Sequence, residues 1–222
     1  MTAPVVLDPL DLAALISSRL CHDVISPVGA IVNGLEVLEE EKDPQMREFA
    51  LDLVRKSAMQ ASARLQFARL AYGAAGSAGA MIDLADAEGV TRGFMRDSKA
   101  EMTWTAPRAL LPKNKVKLLL NLVVIASSTI PRGGSLDIAV EGVEPDTSFR
   151  LTTRGVMARI PAHVEDLIAG TPPENRVDAH VIQPFYAGLV ARETGMDVNM
   201  VIDGDTVTIT AQDTLPDPQF GA

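Results

Sequence analysis

Leu20-Cys21-His22-Asp23-Val24-Ile25-Ser26-Pro27-Val28 is the stretch from which the rest of the chain is read. It lies inside a longer segment, 10–38, whose apolar residues Leu12, Ile16, Leu20, Val24, Val28, Ile31, Leu35 and Leu38 recur every three or four positions. That spacing predicts a helix with one apolar face. At about 100° per residue, His22 is turned roughly 200° from the track of Leu20 and Val24, so its imidazole is expected in solvent. Pro27 lacks an amide donor, and inside a helix it costs on the order of 3 kcal/mol unless something compensates. Around His22 the neighbours Ser18, Ser26, Gly29 and Asn33 are small and Ile25 is an exposed apolar contact, a flat surface on which another protein can dock. Taken singly, His22 reads as an ordinary surface histidine and Pro27 as a tolerated kink.

The combination says more. His22-Asp23-Val24-Ile25-Ser26-Pro27-Val28 resembles the H-box of two-component histidine kinases, which runs His, acid, three variable positions, Pro, aliphatic. The resemblance implies that His22 accepts a phosphoryl group.

A chain of 222 residues can form one or two domains with a real core. No apolar run reaches the ~18 residues of a membrane span, and the N-terminus lacks a basic-then-apolar signal layout, so a cytoplasmic protein is expected. A net charge of −9 argues against a nucleic-acid partner, which calls for a basic patch. The single Cys21 excludes an intramolecular disulfide, and three scattered His with one Cys give no metal-ligand spacing. Cys21 beside His22 suggests a thiol nucleophile, but helical neighbours diverge by ~100°, so Cys21 is expected as a half-buried helix residue.

Taken in order, residues 1–9 read as a disordered tail, with Asp8 or Asp11 capping the first helix and Pro9 early in it. The helix runs out at Glu39-Glu40-Glu41-Lys42, where three acids oppose the dipole. Asp43-Pro44 restarts a helix whose stripe is Met46, Phe49, Ala50, Leu53, Ala58, Ala61, Leu65, Ala68 and Tyr72. Residues 10–73 therefore form an antiparallel hairpin of two helices of about 28 residues, each about 40 Å long. One such hairpin leaves its apolar stripe wet, so a homodimer with a four-helix bundle is expected.

The small-residue run from Gly73 to Ala80 marks a linker, 74–81, ahead of a second domain at 82–212. There a helix is predicted at 84–96, a strand at 101–106, a long apolar helix at 113–130 and strands at 135–141 and 149–154. A helix at 184–194 and a hairpin at 197–210 with Gly204-Asp205 at its turn follow. The order reads as an α/β sandwich with helices on one face of a mixed sheet. Residues 213–222, with Pro216 and Pro218, read as a disordered tail.

This second half resembles the ATP-binding domain of histidine kinases, with informative departures. Leu120-Asn121-Leu122 is similar to the N-box, but Ile125 stands where that family has its metal-coordinating Asn, and Ile cannot bind Mg²⁺. Thr153-Arg154-Gly155-Val156-Met157-Ala158-Arg159-Ile160-Pro161 replaces the adenine-reading Asp-x-Gly-x-Gly loop. Val181-Ile182-Gln183-Pro184 places bulk where a second glycine loop brings backbone to phosphates. The expected architecture is thus a dimeric helical bundle followed by a degenerate kinase ATPase-like domain that binds no ATP. His163 and His180, beside these loops, are read as surface histidines.

Leu20-Cys21-His22-Asp23 with Ser26-Pro27, then Ile31-Val32 and Gly34-Leu35, resemble the ChpT-type histidine phosphotransferases of alphaproteobacteria, and the likeness spans nearly the whole chain. It implies that phosphate arrives from a receiver domain of a CckA-like hybrid kinase and leaves to CtrA-like and CpdR-like response regulators of the cell cycle. No cofactor of its own is implied; Mg²⁺ would come from the receiver. Neutral imidazole is a good nucleophile near pH 7, and transfer needs mainly positioning and charge neutralisation. His22 is then the phosphoacceptor. Asp23 orients it or acts as base, unless it is only a solvated helix acid. Ser18, Ile25, Ser26, Gly29 and Asn33 form the docking face, with Met59 of the second helix added. Two other readings stay open: an ATP-dependent histidine kinase, and a dimeric scaffold that binds receivers without chemistry.

Overall fold

In the computed structural model the described residues are 4–73 and 79–214. Residues 1–3 and 215–222 of the two expected tails, and 74–78 of the expected linker, lie outside them.

Two long helices come first: α1, Pro9–Glu40, and α2, Pro44–Ala71, folded back on each other. Each starts on an aspartate followed by proline. Asp8 accepts from the amide of Leu10 at 2.8 Å, and Asp43 from that of Gln45 at 3.1 Å, so orphan amides are capped and the prolines sit where no N–H is needed. At the turn, Arg47 donates to the carbonyls of Leu38 and, at 2.9 Å, Glu41. A cation from the next helix thereby offsets the three acids at the end of α1. The helices come closest at Gly34, where a Cβ would stand 2.7 Å from Val54 Cγ2 and 3.3 Å from the Ala50 carbonyl.

The α/β domain opens with a ribbon of β1, Met81–Asp83, and β3, Leu110–Pro112, which flank α3, Leu84–Met95, and β2, Ala100–Thr105. After α4, Lys113–Thr129, come β4, Gly134–Glu141, and β5, Ser148–Arg154. Then follow α5, Val164–Ala169, one 3₁₀ turn at Pro173–Asn175, α6, Ile182–Thr194, and the hairpin of β6, Met196–Asp203, and β7, Thr206–Asp213. The five-stranded sheet has the order β2-β4-β5-β7-β6, parallel only between β2 and β4. Alternation along the strands makes one face apolar: Leu136, Ile138 and Val140, Phe149 and Leu151, and Val207, Ile209 and Ala211 are all buried. Across that face lies α4, apolar nearly all round as befits a central helix. This is the helices-on-one-face sandwich that the order of elements predicts.

Two expectations about the ends are corrected. Residues 4–8 are no frayed tail: the Val5 amide bonds the Gly170 carbonyl at 2.7 Å, and Val5 and Leu7 join Leu12, Leu15 and Ile16 of α1 against buried Leu167, Ile182 and Phe185. Apolar residues alternating across a Pro-containing stretch found a partner 160 residues away, beyond any local pattern. Asp213 does not begin a tail either. It ends β7, and its carboxylate meets buried Lys115 at 2.9 Å, where Glu144 also reaches Lys115 at 2.9 Å. Burial pulls the Lys115 ammonium down, yet the hydrogen bonds it donates to Glu144 and Asp213 outweigh it and hold Lys115 above the ordinary lysine value.

Candidate functional site

His22 stands at the middle of α1 with 72% of its side chain exposed. Ser18, Ile25, Ser26, Gly29 and Asn33 all lie within about 60° of it around the helix axis, and all are exposed. Nothing comes within 4 Å of where a Cβ on Gly29 would be, so the stripe is open along its length. Met59 is elsewhere: it lines a groove with Ser62, Gly89 and Gly93, between α2 and α3. Cys21 is exposed rather than half-buried, since α1 has too little packed against it to cover that side.

The side of α1 that turns toward the rest of the molecule carries Arg19 and Asp23. Asp23 Oδ2 accepts from Arg19 Nε at 3.1 Å, and Oδ1 lies 3.3 Å from His22 Nδ1. The side chain of Asp23 therefore does fold back to its neighbour, although helical neighbours diverge. The backbone of Asp23 is engaged too. Pro27 is buried in the helix and has no N–H, so the carbonyl four residues earlier, that of Asp23, loses its ladder partner. Arg64 of α2 donates to that carbonyl. Arg19, Asp23 and Arg64 line one cleft of about 270 Å³ with Gln60, Asp97 and Ser127, where hairpin and α/β domain meet.

Arg19 and Arg64 were missed in the sequence. The i, i+4 spacing of Arg19 and Asp23 was a readable signal. Arg64 left only an indirect one, the carbonyl that Pro27 orphans.

On the α/β domain, the positions expected at a nucleotide site have other employment. Ile125 is buried and offers no oxygen. Asn121, fully buried, donates to the Ala71 carbonyl at 3.0 Å and the Lys117 carbonyl at 2.7 Å, and accepts from Gln183 Nε2 at 2.6 Å. Tyr72 completes the chain by donating to Gln183 Oε1. Burial pushes the Tyr72 hydroxyl up to about 12, so it donates as a neutral phenol. Gln183 and its neighbours Ile182 and Pro184 are buried at the start of α6, where bulk leaves no backbone cradle for phosphates. These residues do not fit a magnesium–nucleotide group. His163 and His180 are exposed. Among the described residues no cluster of His, Cys, Asp and Glu could hold a metal.

By length and composition α1 could pass for a membrane span, but an Arg19–Asp23 ion pair and His22 occupy its middle. Apolar residues are left uncovered on both helices, Val28, Val32 and Leu35 on one side of α1 and Phe49 and Leu53 on one side of α2.

A family model of the histidine phosphotransferase C-terminal domain matches residues 84–206. Protein phosphotransferase ChpT of Brucella abortus (strain 2308) is 50% identical over 212 residues, spanning 96% of this chain and 100% of its own. A solved bacterial phosphotransferase superposes with a TM-score of 0.87 at 48% identity, over 95% of this chain and 100% of that one.

Proposed function

Since the chain belongs to the histidine phosphotransferase family of ChpT, we propose that it relays a phosphoryl group through His22 between receiver domains. The observation that carries this reading is the exposed His22 ring with Nδ1 on Asp23. A carboxylate only accepts, so Nδ1 carries the proton and Nε2 presents its lone pair to solvent. That lone pair attacks the phosphorus of a receiver's aspartyl phosphate in line. The P–N bond forms as the P–O bond to the receiver breaks, and the receiver's aspartate leaves as carboxylate. Asp23 holds the positive charge that develops on the imidazole, as the acid of a catalytic triad does. Reversal onto a second receiver restores the free histidine. Mg²⁺ comes with the receiver.

Ser18, Ile25, Ser26, Gly29 and Asn33 form the receiver's docking stripe. The donor is the receiver of a CckA-like hybrid kinase; the acceptors are CtrA-like and CpdR-like regulators in the cytoplasm. The uncovered apolar surface of α1 and α2 supports a homodimer that closes a four-helix bundle.

The test is transfer of labelled phosphate from a phosphorylated hybrid-kinase receiver to wild type and His22→Ala. Acid-labile label on wild type alone is expected. Receiver binding without label on either protein would replace the relay by a scaffold, and labelling by ATP alone would replace it by a kinase. Gly29→Arg, at a position where an added Cβ meets nothing within 4 Å, is expected to block transfer with the dimer intact; normal transfer would remove the docking stripe.

A further inference from the structure

Neighbouring helix residues do not ordinarily reach each other, so the contact between Asp23 and His22 needs a cause. Asp23 is held at both ends. Its carboxylate is drawn by Arg19, one turn toward the N-terminus, the direction in which helical side chains lean. Its carbonyl, vacated by Pro27, is taken by Arg64 from the second helix. A buried proline in mid-helix costs stability through its orphaned carbonyl; here the orphan belongs to the residue that touches the phosphoacceptor. Arg64 comes from 41 residues away, so the register of α1 against α2 is tied to the residue beside His22.

We propose that Arg19 and Arg64 are positioning residues for His22: acting through Asp23, they fix the proton on Nδ1 and hold Nε2 free at the docking stripe. The inference rests on His22 being the phosphoacceptor. A free neutral histidine prefers its proton on Nε2, which would leave the outward nitrogen without a lone pair; the arginine-braced carboxylate reverses that preference. The two guanidiniums have separate tasks, Arg19 setting the direction of the carboxylate and Arg64 the position of the backbone that bears it. Asp97, on the same cleft, is the other charged group facing them.

The test uses the full-length protein labelled with ¹⁵N in its histidine rings, with the His22 signals assigned by their loss in His22→Ala. At neutral to mildly alkaline pH, wild-type His22 should show protonated Nδ1 and bare Nε2. Arg19→Gln and Arg64→Met should shift it toward the Nε2–H form and slow transfer roughly 10- to 100-fold with receiver affinity unchanged, as expected for a misplaced reacting group. Arg19→Lys should restore part of both. Pro27→Ala returns an amide to the Asp23 carbonyl, so in that background Arg64→Met should have little further effect, a coupling that a general loss of folding would not produce. Wild-type His22 with its proton on Nε2, an unchanged tautomer in both arginine variants, or additive effects of Pro27→Ala and Arg64→Met would overturn the proposal. Absence of label on wild type would instead count against His22 as phosphoacceptor, and the tautomer is read without phosphate, so the two failures are distinct.

Discussion

The helical hairpin and the α/β domain treat apolar surface in opposite ways. Of the 32 residues of α1 only Pro27 and Gly34 are buried, whereas eleven of the 17 in α4 are. α4 has the sheet on one side and α2, α3 and α6 on others. Over much of their length α1 and α2 have only each other, and Val32, Phe49 and Leu51 stay 49%, 61% and 51% exposed. The domain is built round a core to which the last turns of α2 add Phe67, Leu70 and Ala71; most of the rest of the hairpin supplies surface. On the proposed function α1 offers a histidine to one partner and an apolar seam to another, which leaves it little to bury within its own chain.

Five variants would break or sharpen that contrast. Leu119→Ala, at a side chain with no exposure, is expected to remove about 2–5 kcal/mol, read as a lower urea midpoint; the same change at half-exposed Leu35 should cost less than about 1 kcal/mol within one chain. Equal losses would mean that the hairpin has a core of its own. Leu35→Asp with Leu53→Asp should leave the unfolding of the α/β domain unchanged while weakening self-association at least about 100-fold, roughly 3 kcal/mol; sedimentation would show it, and unaltered sedimentation would put the seam to another use. Gln183→Leu strands the Asn121 oxygen and the Tyr72 hydroxyl, so a loss of about 1–3 kcal/mol is expected in chemical denaturation.

The smallest effect concerns pH. Because the Lys115 pKa is raised by folding, its contribution is fully present below the ordinary lysine pKa and fades as pH climbs through the folded value. The carboxylates of Glu144 and Asp213 are each 34% exposed, so screening keeps the pair of contacts near about 1 kcal/mol. Lys115→Met should remove that alkaline decline in denaturant midpoints measured from pH 8 to 11.5; an identical slope in both proteins would show that other groups produce it.

How much of this was legible follows the range of each interaction. Helical spacing from Leu12 to Leu38 and strand alternation in Leu136, Ile138 and Val140 are local, and the long elements were readable from them. β1 and β3 have three residues each and α5 six, too short to show a period. The docking of Val5 and Leu7 on Phe185 is set by tertiary contact alone. At the site, His22, Asp23 and the small-residue stripe sit in one stretch of chain. Arg19 was within reach through its i, i+4 spacing to Asp23. Arg64 answers a need that Pro27 announces, an acceptor without a donor, but no local rule says which distant arginine will answer it.

The buried chain Tyr72–Gln183–Asn121–Ala71 joins the last turn of α2 to α4 and α6. To swing the α/β domain about the hairpin end, the two bonds that cross between them, Tyr72 to Gln183 and Asn121 to the Ala71 carbonyl, must be exchanged for bonds to water, at about 0.5–1.5 kcal/mol each. With Phe67, Leu70 and Ala71 of α2 packed into the core of the α/β domain, these bonds make the spacing between that domain and His22 a property of the fold, so on the proposed relay a partner has to fit a preset gap.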